Sequence, residues 1–490
     1  MRPTIVMAIV ITAMLAVSPL MVPDTDAQNA YDSPDGTYTY AKHGSGCDSS
    51  PYWSEILSFS CDEDMTFLQS ALEGYEMTTV TSLSGCNAGT VVIPRTVTSV
   101  ADDALEGSSI DMMVFLGDRP EMSIPEDVAT IALGGTSGWD GSQDTIPLLE
   151  YRENGTSFEY FVLNGMAYVY GPSDGDEIII PDEDPNGHPF VGIDSEAFRH
   201  SDIVTVTFGA NVASIGTRAF YNCESLTSAT MGHGVKEIHD EAFRYCIHLD
   251  NVDLEGVESI GFETFRDCRS FTSISIPDSV ENMGGGAFYI CDSATSLDLG
   301  SGLVSIPERA FGYCSSLDSV DLTGASDIGA SAFINCSSLL HVTLDKRTTD
   351  IGRYAFSGCT YLESLDLGDR LRTVGEQAFS ECRMLPTLTF PDTLTSIGDK
   401  PFFHCYGLTE LYFEGKMPDI PEDLLFGTTD VTVHVYDTHA DSWEPFEGDV
   451  VVESDPNGTP DGTPDIVVLS MIAMLTILGV MAYLLMRTRE

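Results

Sequence analysis

The chain repeats a short pattern ten times in succession, and each copy ends in phenylalanine, usually preceded by alanine. The copies step by 22 or 23 residues without a break. A fixed period of this size is typical of a solenoid, in which each coil buries its apolar face only by stacking on its neighbours. Such a protein offers a long repetitive surface rather than one pocket, which favours binding over catalysis. The repeat phenylalanines are Phe198, Phe220, Phe243, Phe265, Phe288, Phe311, Phe333, Phe356, Phe379 and Phe402.

The stretch from Leu362 to Phe379 shows the pattern of one coil. Leu365 and Leu367 flank Asp366, and this alternation predicts a short, half-buried strand. The apolar residues that follow have the spacing of one face of a short helix or 3₁₀ segment. Strands about 4.7–4.9 Å apart would stack ten such coils into a rod on the order of 50 Å long. In this coil the residues on the predicted helical face are Val374, Ala378, Phe379 and Cys382.

Nine of the twelve cysteines lie three residues after a repeat phenylalanine. Their place in the coil explains them as a ladder of buried thiols, since a free cysteine packs as a small apolar residue. Neighbouring coils bring these thiols within disulfide range, which leaves bonds between adjacent members as the alternative. The spacing is not the C-x₂-C pattern of a zinc site. The predicted structural ladder includes Phe220, Phe243, Phe333, Phe356, Cys246, Cys336 and Cys359.

The repeat motif I-G-x-x-A-F-x-x-C-x-x-L-x-x-L-x-L resembles the BspA-like leucine-rich repeat. The resemblance covers about 150–446, and the segment from Phe158 to Tyr170 looks like the lead-in strands of that family. It implies a repeat solenoid of the α+β or mostly β class, built from coils of 22–23 residues. It also implies a surface-exposed protein, and some members of the family act as adhesins.

Both ends of the chain predict export and anchoring. Residues 1–27 read as a secretory signal, with Arg2, an apolar core and a small-residue cleavage site ending at Ala27. An uncleaved anchor is the alternative for this segment. Residues 466–486 carry no charge and are long enough to span a bilayer, and the basic residues after them predict a cytoplasmic C-terminus.

A second, shorter unit is predicted ahead of the main array. Residues 110–128 parallel 408–424, and each stretch is followed by a tryptophan, Trp139 or Trp443. The predicted organisation is a signal peptide (1–27), a segment of unclear fold (28–85), a short degenerate leucine-rich repeat unit with its exit segment (86–150), the main solenoid (151–448), a stalk rich in proline, glycine and aspartate (449–465), a transmembrane helix (466–486) and a cytoplasmic stub (487–490). Within the main solenoid we expect lead-in strands at 151–197, about ten coils at 198–425 and an exit cap at 426–448.

The formal net charge of −54 excludes nucleic acid as a direct partner, because binding to phosphates needs a basic face. The charge fits a solvated, self-repelling surface. The alternative is divalent-cation binding. Residues 182–187 match the start of an EF-hand loop, but Ile193 stands where the loop needs a bidentate glutamate. The stalk offers Asp455, Asn457 and Asp461 as oxygen donors. No cofactor is predicted, and surface calcium remains the alternative.

No sequence motif predicts catalysis. The metalloprotease motif H-E-x-x-H, the nucleophile elbow G-x-S-x-G and the phosphate-binding loop G-x-x-x-x-G-K-[ST] are all missing from the sequence. The chain is therefore predicted not to be an enzyme.

Outward positions on the predicted strands form columns of hydroxyls and carboxylates. The candidate binding residues are Asp253, Asp298, Asp321, Thr343, Asp366 and Tyr412. The alternative is that these polar side chains only keep the face hydrated. Because aromatic anchors are scarce in the columns, any binding is expected to be weak per contact and multivalent.

Two kinds of covalent modification are predicted for an exported chain. Cys47, Cys61 and Cys86 lie outside the ladder, and an exported chain favours a disulfide between two of them. Cys47–Cys61 is the predicted pair. Asn154 and Asn457 begin usable glycosylation sequons.

Three functional hypotheses follow. The first is a membrane-anchored surface protein whose repeats bind an extracellular protein or glycan in adhesion. The second is a structural, acidic envelope or coat component without a specific ligand. An exported hydrolase is the third and weakest, since no nucleophile or metal constellation appears.

Overall fold

The structure is a computed structural model. It describes 30–32, 38–43, 55–61, 79–80, then 90–150 with gaps at 94, 96, 98, 101–103, 106–109, 111, 121, 123, 125–127, 135 and 140–143, and 151–453 without 154–155, 164, 174, 429 and 447. The chain divides into two compact units, one formed mainly by residues before 144 and one mainly by residues from 144 on. No helix among these residues is long and apolar enough to span a bilayer. The predicted signal peptide and transmembrane helix lie outside the described residues.

The first unit is built from short strands. Its five-stranded sheet has the order β1-β2-β3-β4-β6, and β5 pairs in parallel with β7 outside that sheet. Trp139 packs on Phe115 with ring centroids 4.9 Å apart, and the Arg119 guanidinium lies 5.6 Å from the Trp139 ring. The strands are β1 (Ala30–Asp32), β2 (Tyr38–His43), β3 (Glu55–Cys61), β4 (Thr79–Val80), β5 (Thr90–Ile93), β6 (Ser99–Val100) and β7 (Met112–Phe115). Near the division of the units lie β8 (Ala129–Leu133) and β9 (Asp144–Ile146).

The second unit opens with an antiparallel meander of β10 (Leu149–Glu153), β11 (Thr156–Leu163) and β12 (Met166–Ser173). The pairing changes from antiparallel to parallel at β12, which pairs in parallel with β14 (Phe190–Ile193). Phe158 packs edge-on against Phe190 at 5.6 Å, so aromatic side chains close this end of the core.

The second unit then continues as a β-solenoid of about eleven coils with almost no helix. Each full coil contributes one strand to each of two parallel columns. The first column contains β13 (Glu177–Ile179), β15 (Thr205–Thr207), β17 (Ser228–Thr230), β19 (Asn251–Val252), β21 (Ser273–Ile276), β23 (Ser296–Leu299), β25 (Ser319–Leu322), β27 (His341–Leu344), β29 (Ser364–Asp366), β31 (Thr387–Phe390), β33 (Glu410–Phe413), β34 (Thr432–Tyr436) and β35 (Val450–Glu453). The second contains β14, β16 (Ser214–Ile215), β18 (Glu237–Ile238), β20 (Ser259–Ile260), β22 (Asn282–Met283), β24 (Ser305–Ile306), β26 (Asp327–Ile328), β28 (Asp350–Ile351), β30 (Thr373–Val374) and β32 (Ser396–Ile397).

The predicted helix or 3₁₀ segment around each repeat phenylalanine is wrong. The residues two before and two after every repeat phenylalanine have positive φ, and 18 of these 20 positions are not glycine. The positive φ angles at these positions direct backbone N–H groups toward the next coil. Arg218 N–H donates to the Asp240 carbonyl at 3.0 Å, and Phe220 N–H donates to the Ala242 carbonyl at 2.8 Å. A helix would keep these bonds within its own coil.

The turns place the phenylalanines in one continuous stack. Consecutive repeat rings are nearly parallel, with centroids 5.0–6.1 Å apart from Phe198 to Phe402. All ten rings are buried. At the C-terminal end, a 3₁₀ segment, Ala440–Trp443, buries Trp443 against Phe413 at 4.5 Å.

The nine repeat cysteines are buried free thiols, and each has a defined acceptor. Every Sγ lies 2.9–3.4 Å from the carbonyl oxygen of the phenylalanine one coil earlier, as Cys336 does with Phe311. The thiol therefore donates a weak hydrogen bond to a buried carbonyl group. Alanine at this position would remove that donor. Burial raises the pKa of Cys314 and of Cys405 to about 12.

We expect the nine repeat thiols to resist alkylation in the folded protein, because each sulfur is enclosed and an alkylating reagent cannot reach it. Peptide mapping by mass spectrometry after iodoacetamide treatment should find them unmodified in native buffer and modified in denaturant. Labelling of Cys336 in the folded chain, or a bond between adjacent repeat cysteines, would contradict the ladder.

Candidate functional site

The strands of the first column present three of the predicted binding residues in register. Asp321 pairs with Thr343, and Thr343 pairs with Asp366 on the next coil. Asp253, Asp298, Asp321, Thr343 and Asp366 are exposed, and Tyr412 is half-buried. The arrangement is a row of outward oxygen-bearing side chains one strand spacing apart, about 4.7–4.9 Å.

The sheet of the first column is interrupted between β19 and β21, between β23 and β25, and between β29 and β31. The interruption between β29 and β31 differs from the other two because the residues on both sides of its second strand are proline. Elsewhere in the column, Glu363 N–H donates to the Leu340 carbonyl at 2.9 Å, and Glu414 N–H donates to the Phe390 carbonyl at 3.0 Å. The residues at these two positions of the β31 coil are Pro386 and Pro391. Proline has no N–H, so both flanking donors between these coils are lost.

A groove of about 330 Å³ lies at this interruption. Its walls carry the carboxylates of Glu363, Asp366, Asp369 and Glu414, and none of its lining residues is lysine or arginine. Asp366, one of the predicted binding residues, lines the groove together with Thr389, the residue at the equivalent position of the next coil. The groove is therefore acidic and lies on the face that the sequence predicted for binding.

An aromatic pair lies beside the groove. The Tyr412 and His434 rings stack with centroids 4.3 Å apart, and His434 Nδ1 lies 2.8 Å from Glu453 Oε1. Tyr412 O–H donates to Glu410 Oε2 at 2.7 Å. Burial, as the main cause, and the Glu410 carboxylate, as the next largest cause, raise the Tyr412 pKa to about 12, so the phenol stays neutral. His434 Nε2 is buried and has no hydrogen-bond partner among the described residues.

Sequence reasoning missed the residues around Tyr412. His434 follows Tyr412 in register on β34, and Tyr436 pairs with Glu453 on β35. The predicted column of outward residues ends at the last leucine-rich coil. Alternation in the Thr432–Tyr436 strand was the available signal that the column continues.

A buried ion-pair network occupies the turns of three successive coils. Arg218 Nη2 lies 3.0 Å from Glu241 Oε1, and Arg244 Nη1 lies 3.0 Å from Glu241 Oε2 and 2.7 Å from Glu263 Oε2. Tyr245 packs its ring 4.9 Å from the Arg244 guanidinium. Burial raises the pKa of Glu263, opposed by Arg244 and Arg266. The charged groups pair with one another, and Arg244 Nε has no hydrogen-bond partner among the described residues. The network therefore holds coils together and is not a candidate ligand site.

The segment that resembles an EF-hand start is a tight turn. Asp184 Oδ1 accepts the N–H groups of Asn186 at 2.8 Å and His188 at 2.9 Å. Its Oδ2 lies 3.0 Å from His188 Nδ1 and accepts the Tyr160 hydroxyl at 3.2 Å. The carboxylate at the centre of this segment is thus engaged by protein donors. Among the described residues, no group of three or more potential ligands is placed to hold a metal ion.

We expect Asp184 to make stability pH-dependent. Burial alone would raise its pKa, but the hydrogen bonds from His188 and Asn186 lower it to about 2. A carboxyl with a depressed folded-state pKa stabilises the fold above its unfolded pKa, and this contribution is lost as pH falls through the folded pKa. Asp184→Asn should therefore cost roughly 1.5–3 kcal/mol at neutral pH and less near pH 2. Urea unfolding at both pH values measures this, and an equal cost at both would contradict it.

The remaining predicted residues lie mostly outside the described part of the chain. Cys47, Asn154 and Asn457 are not among the described residues, and Cys61 is the last residue of β3. The Cys47–Cys61 disulfide and the two glycosylation sites stay predictions.

The sequence model of the BspA type leucine rich repeat region matches the chain in six copies, over 191–318, 254–361 and 326–440. These ranges together cover just over half of the chain. The chain belongs to the BspA-type leucine-rich repeat family, a family of cell-surface proteins whose repeats generally serve as non-enzymatic binding scaffolds.

Several solved structures are similar to the chain. A leucine-rich cell surface protein from Faecalibacterium prausnitzii is 22% identical, with a TM-score of 0.35, covering 64% of this chain and 99% of that one. A leucine-rich repeat protein from Bacteroides ovatus is 20% identical, with a TM-score of 0.31, covering 64% and 100%. The pneumococcal vaccine antigen PcpA is 15% identical, with a TM-score of 0.34, covering 88% and 100%. TM-scores below 0.5 add nothing to the family assignment. No curated protein matches the chain.

Proposed function

We propose that this chain is a membrane-anchored cell-surface protein whose repeat array binds extracellular proteins or glycans in adhesion. The observation that carries the proposal is the first strand column, whose outward side chains lie in register wherever neighbouring coils pair. The uncharged segment 466–486 and the basic residues after it support a single anchor with the repeats outside and the C-terminus in the cytoplasm.

The geometry supports binding by many weak contacts. A stacked β column holds its side chains at fixed positions, so a partner engages several coils without ordering them first. Each hydroxyl or carboxylate contributes little alone, but contacts repeated along the column act together. No phenylalanine, tyrosine or tryptophan occupies the outward strand positions from Thr230 to Asp366.

A structural coat without a specific ligand is the second candidate, and the formal net charge of −54 favours it. A surface of this charge repels other acidic surfaces and keeps the array hydrated. This candidate predicts high copy number and lateral association through the repeats rather than saturable binding.

The full-length chain, held in detergent micelles, should be titrated against immobilised matrix proteins and glycans, with and without calcium. Adhesion predicts saturable binding to one class of ligand, which is lost when the coils from Asp253 to Asp366 are deleted and the remaining chain still folds. Failure to bind any member of the panel, together with self-association at high concentration, would replace adhesion by the coat.

A further inference from the structure

We propose that the groove between β29 and β31 receives an arginine side chain from an extended segment of a protein partner. This inference rests on the proposed function, because it identifies where on the strand column a partner is held and by what chemistry.

The groove is lined by hydrogen-bond acceptors. Asp366, Asp369, Glu363 and Glu414 supply carboxylates, and no lysine or arginine is among the lining residues. Its volume of about 330 Å³ lies at the lower end of ligand pockets, roughly 300–1,000 Å³, which suits one long side chain. A net negative, concave site also concentrates cationic groups from solution.

The backbone adds a second set of acceptors. Pro386 and Pro391 stand where neighbouring coils have N–H donors. No backbone hydrogen bond joins 363–368 to 386–391, two segments that the structure describes in full. By the register of the adjacent coils, the missing donors would have served the carbonyls of Glu363 and Leu367. Carboxylate and carbonyl oxygens accept hydrogen bonds, so the site fits a ligand group that has only hydrogen-bond donors. The guanidinium group has five N–H donors and no acceptor.

The aromatic pair extends the groove in the direction of the column. Glu414 lines both the groove and the small depression that contains Tyr412, His434 and Tyr436. Arginine stacks on aromatic rings as well as pairing with carboxylates, whereas lysine acts mainly as a point charge. Arginine is therefore preferred over lysine or a simple metal ion.

The chain contains a matched control for the central carboxylate. Asp366 Oδ1 accepts the Gly368 N–H at 3.0 Å, and Asp321 Oδ1 accepts the Thr323 N–H at 3.0 Å. Both residues are exposed and occupy the same position in their coils, but only Asp366 lines the groove. Asparagine keeps the oxygen that closes each turn, so both variants should fold.

The test titrates the full-length chain with a short fluorescent peptide of alternating threonine and arginine, and with its lysine and citrulline analogues. We expect the arginine peptide to bind most tightly, and Asp366→Asn to weaken it roughly tenfold, as expected for loss of one charge-assisted hydrogen bond. Asp321→Asn should change binding by less than about twofold. Tyr412→Ala should weaken binding, and Tyr412→Phe should retain it because the ring remains. Unchanged melting temperatures would show that the variants fold.

If Asp366→Asn and Asp321→Asn weaken binding of the arginine peptide equally, the peptide is attracted to the acidic surface as a whole. That result would overturn the groove as the binding site. Equal binding of the arginine and lysine peptides would overturn guanidinium recognition. If the chain binds a ligand of the adhesion panel and Asp366→Asn leaves that binding unchanged, the proposed function stands and this inference fails. If neither the panel nor the peptide binds, both fail.

Discussion

Replacing Phe333 by alanine is expected to lower the free energy of unfolding by about 3–5 kcal/mol, the range for emptying a large aromatic core site. Phe333 is fully buried and stacks between Phe311 at 5.4 Å and Phe356 at 5.5 Å. Its loss opens a cavity that faces two neighbouring coils, and the stack cannot close over it without shifting the turns. Urea denaturation followed by circular dichroism measures the effect.

Tyr361→Ala is the matched control, because this aromatic residue lies in the next coil with 58% of its surface exposed. We expect a change within about 0.5 kcal/mol. Repeat arrays can unfold in segments, so the two variants should also be compared by hydrogen exchange. A Phe333→Ala protein as stable as the Tyr361→Ala protein would contradict the stacked core.

Replacing Glu241 by glutamine is expected to cost about 3–5 kcal/mol, since removing one member of a buried ion network leaves its partners undercompensated. Glu241 lies between two arginines whose side chains are only 6% and 8% exposed, Arg218 and Arg244. Glutamine has nearly the same shape, so the loss reports charge rather than packing. Because buried charges are screened little by salt, the cost should persist at high ionic strength.

The exposed pair of Arg383 and Glu381 provides the comparison, with side chains 51% and 41% exposed and 2.9 Å between charged atoms. Arg383→Met should cost no more than about 1 kcal/mol and should lose its effect in high salt. Similar costs for Glu241→Gln and Arg383→Met would show that the buried network does not hold the coils.

The sequence was sufficient to predict the coils and the strand columns, because both follow from strict periodicity. Leu365, Leu367 and Asp366 alternate as a half-buried strand does, and the 23-residue step from Thr343 to Asp366 fixes which residues become neighbours. The segment around Phe379 was predicted wrongly. Its apolar spacing also suits a helix. The positive φ angles of Gln377 and Glu381 exclude a helix, but neither residue is glycine, so the sequence does not indicate left-handed backbone there.

The candidate site was predicted only in part. Asp366 and Tyr412 were identified from their column, but the groove between them depends on hydrogen bonds that are missing. Pro386 and Pro391 are visible in the sequence, yet their effect follows only from the register of the flanking coils. The ion network was also missed. Glu241 and Arg244 look like exposed residues in the sequence, and only the turn geometry buries them together.

The most direct test of the strand column as the binding surface is hydrogen–deuterium exchange on the full-length chain, with and without a saturating ligand from the adhesion panel. The account predicts that ligand slows exchange in the strands from Ser364 to Phe413, with the largest change around Asp366 and Thr389. Unchanged exchange there, with protection confined to the turns that expose Tyr361, Met384 and Tyr406, would contradict it.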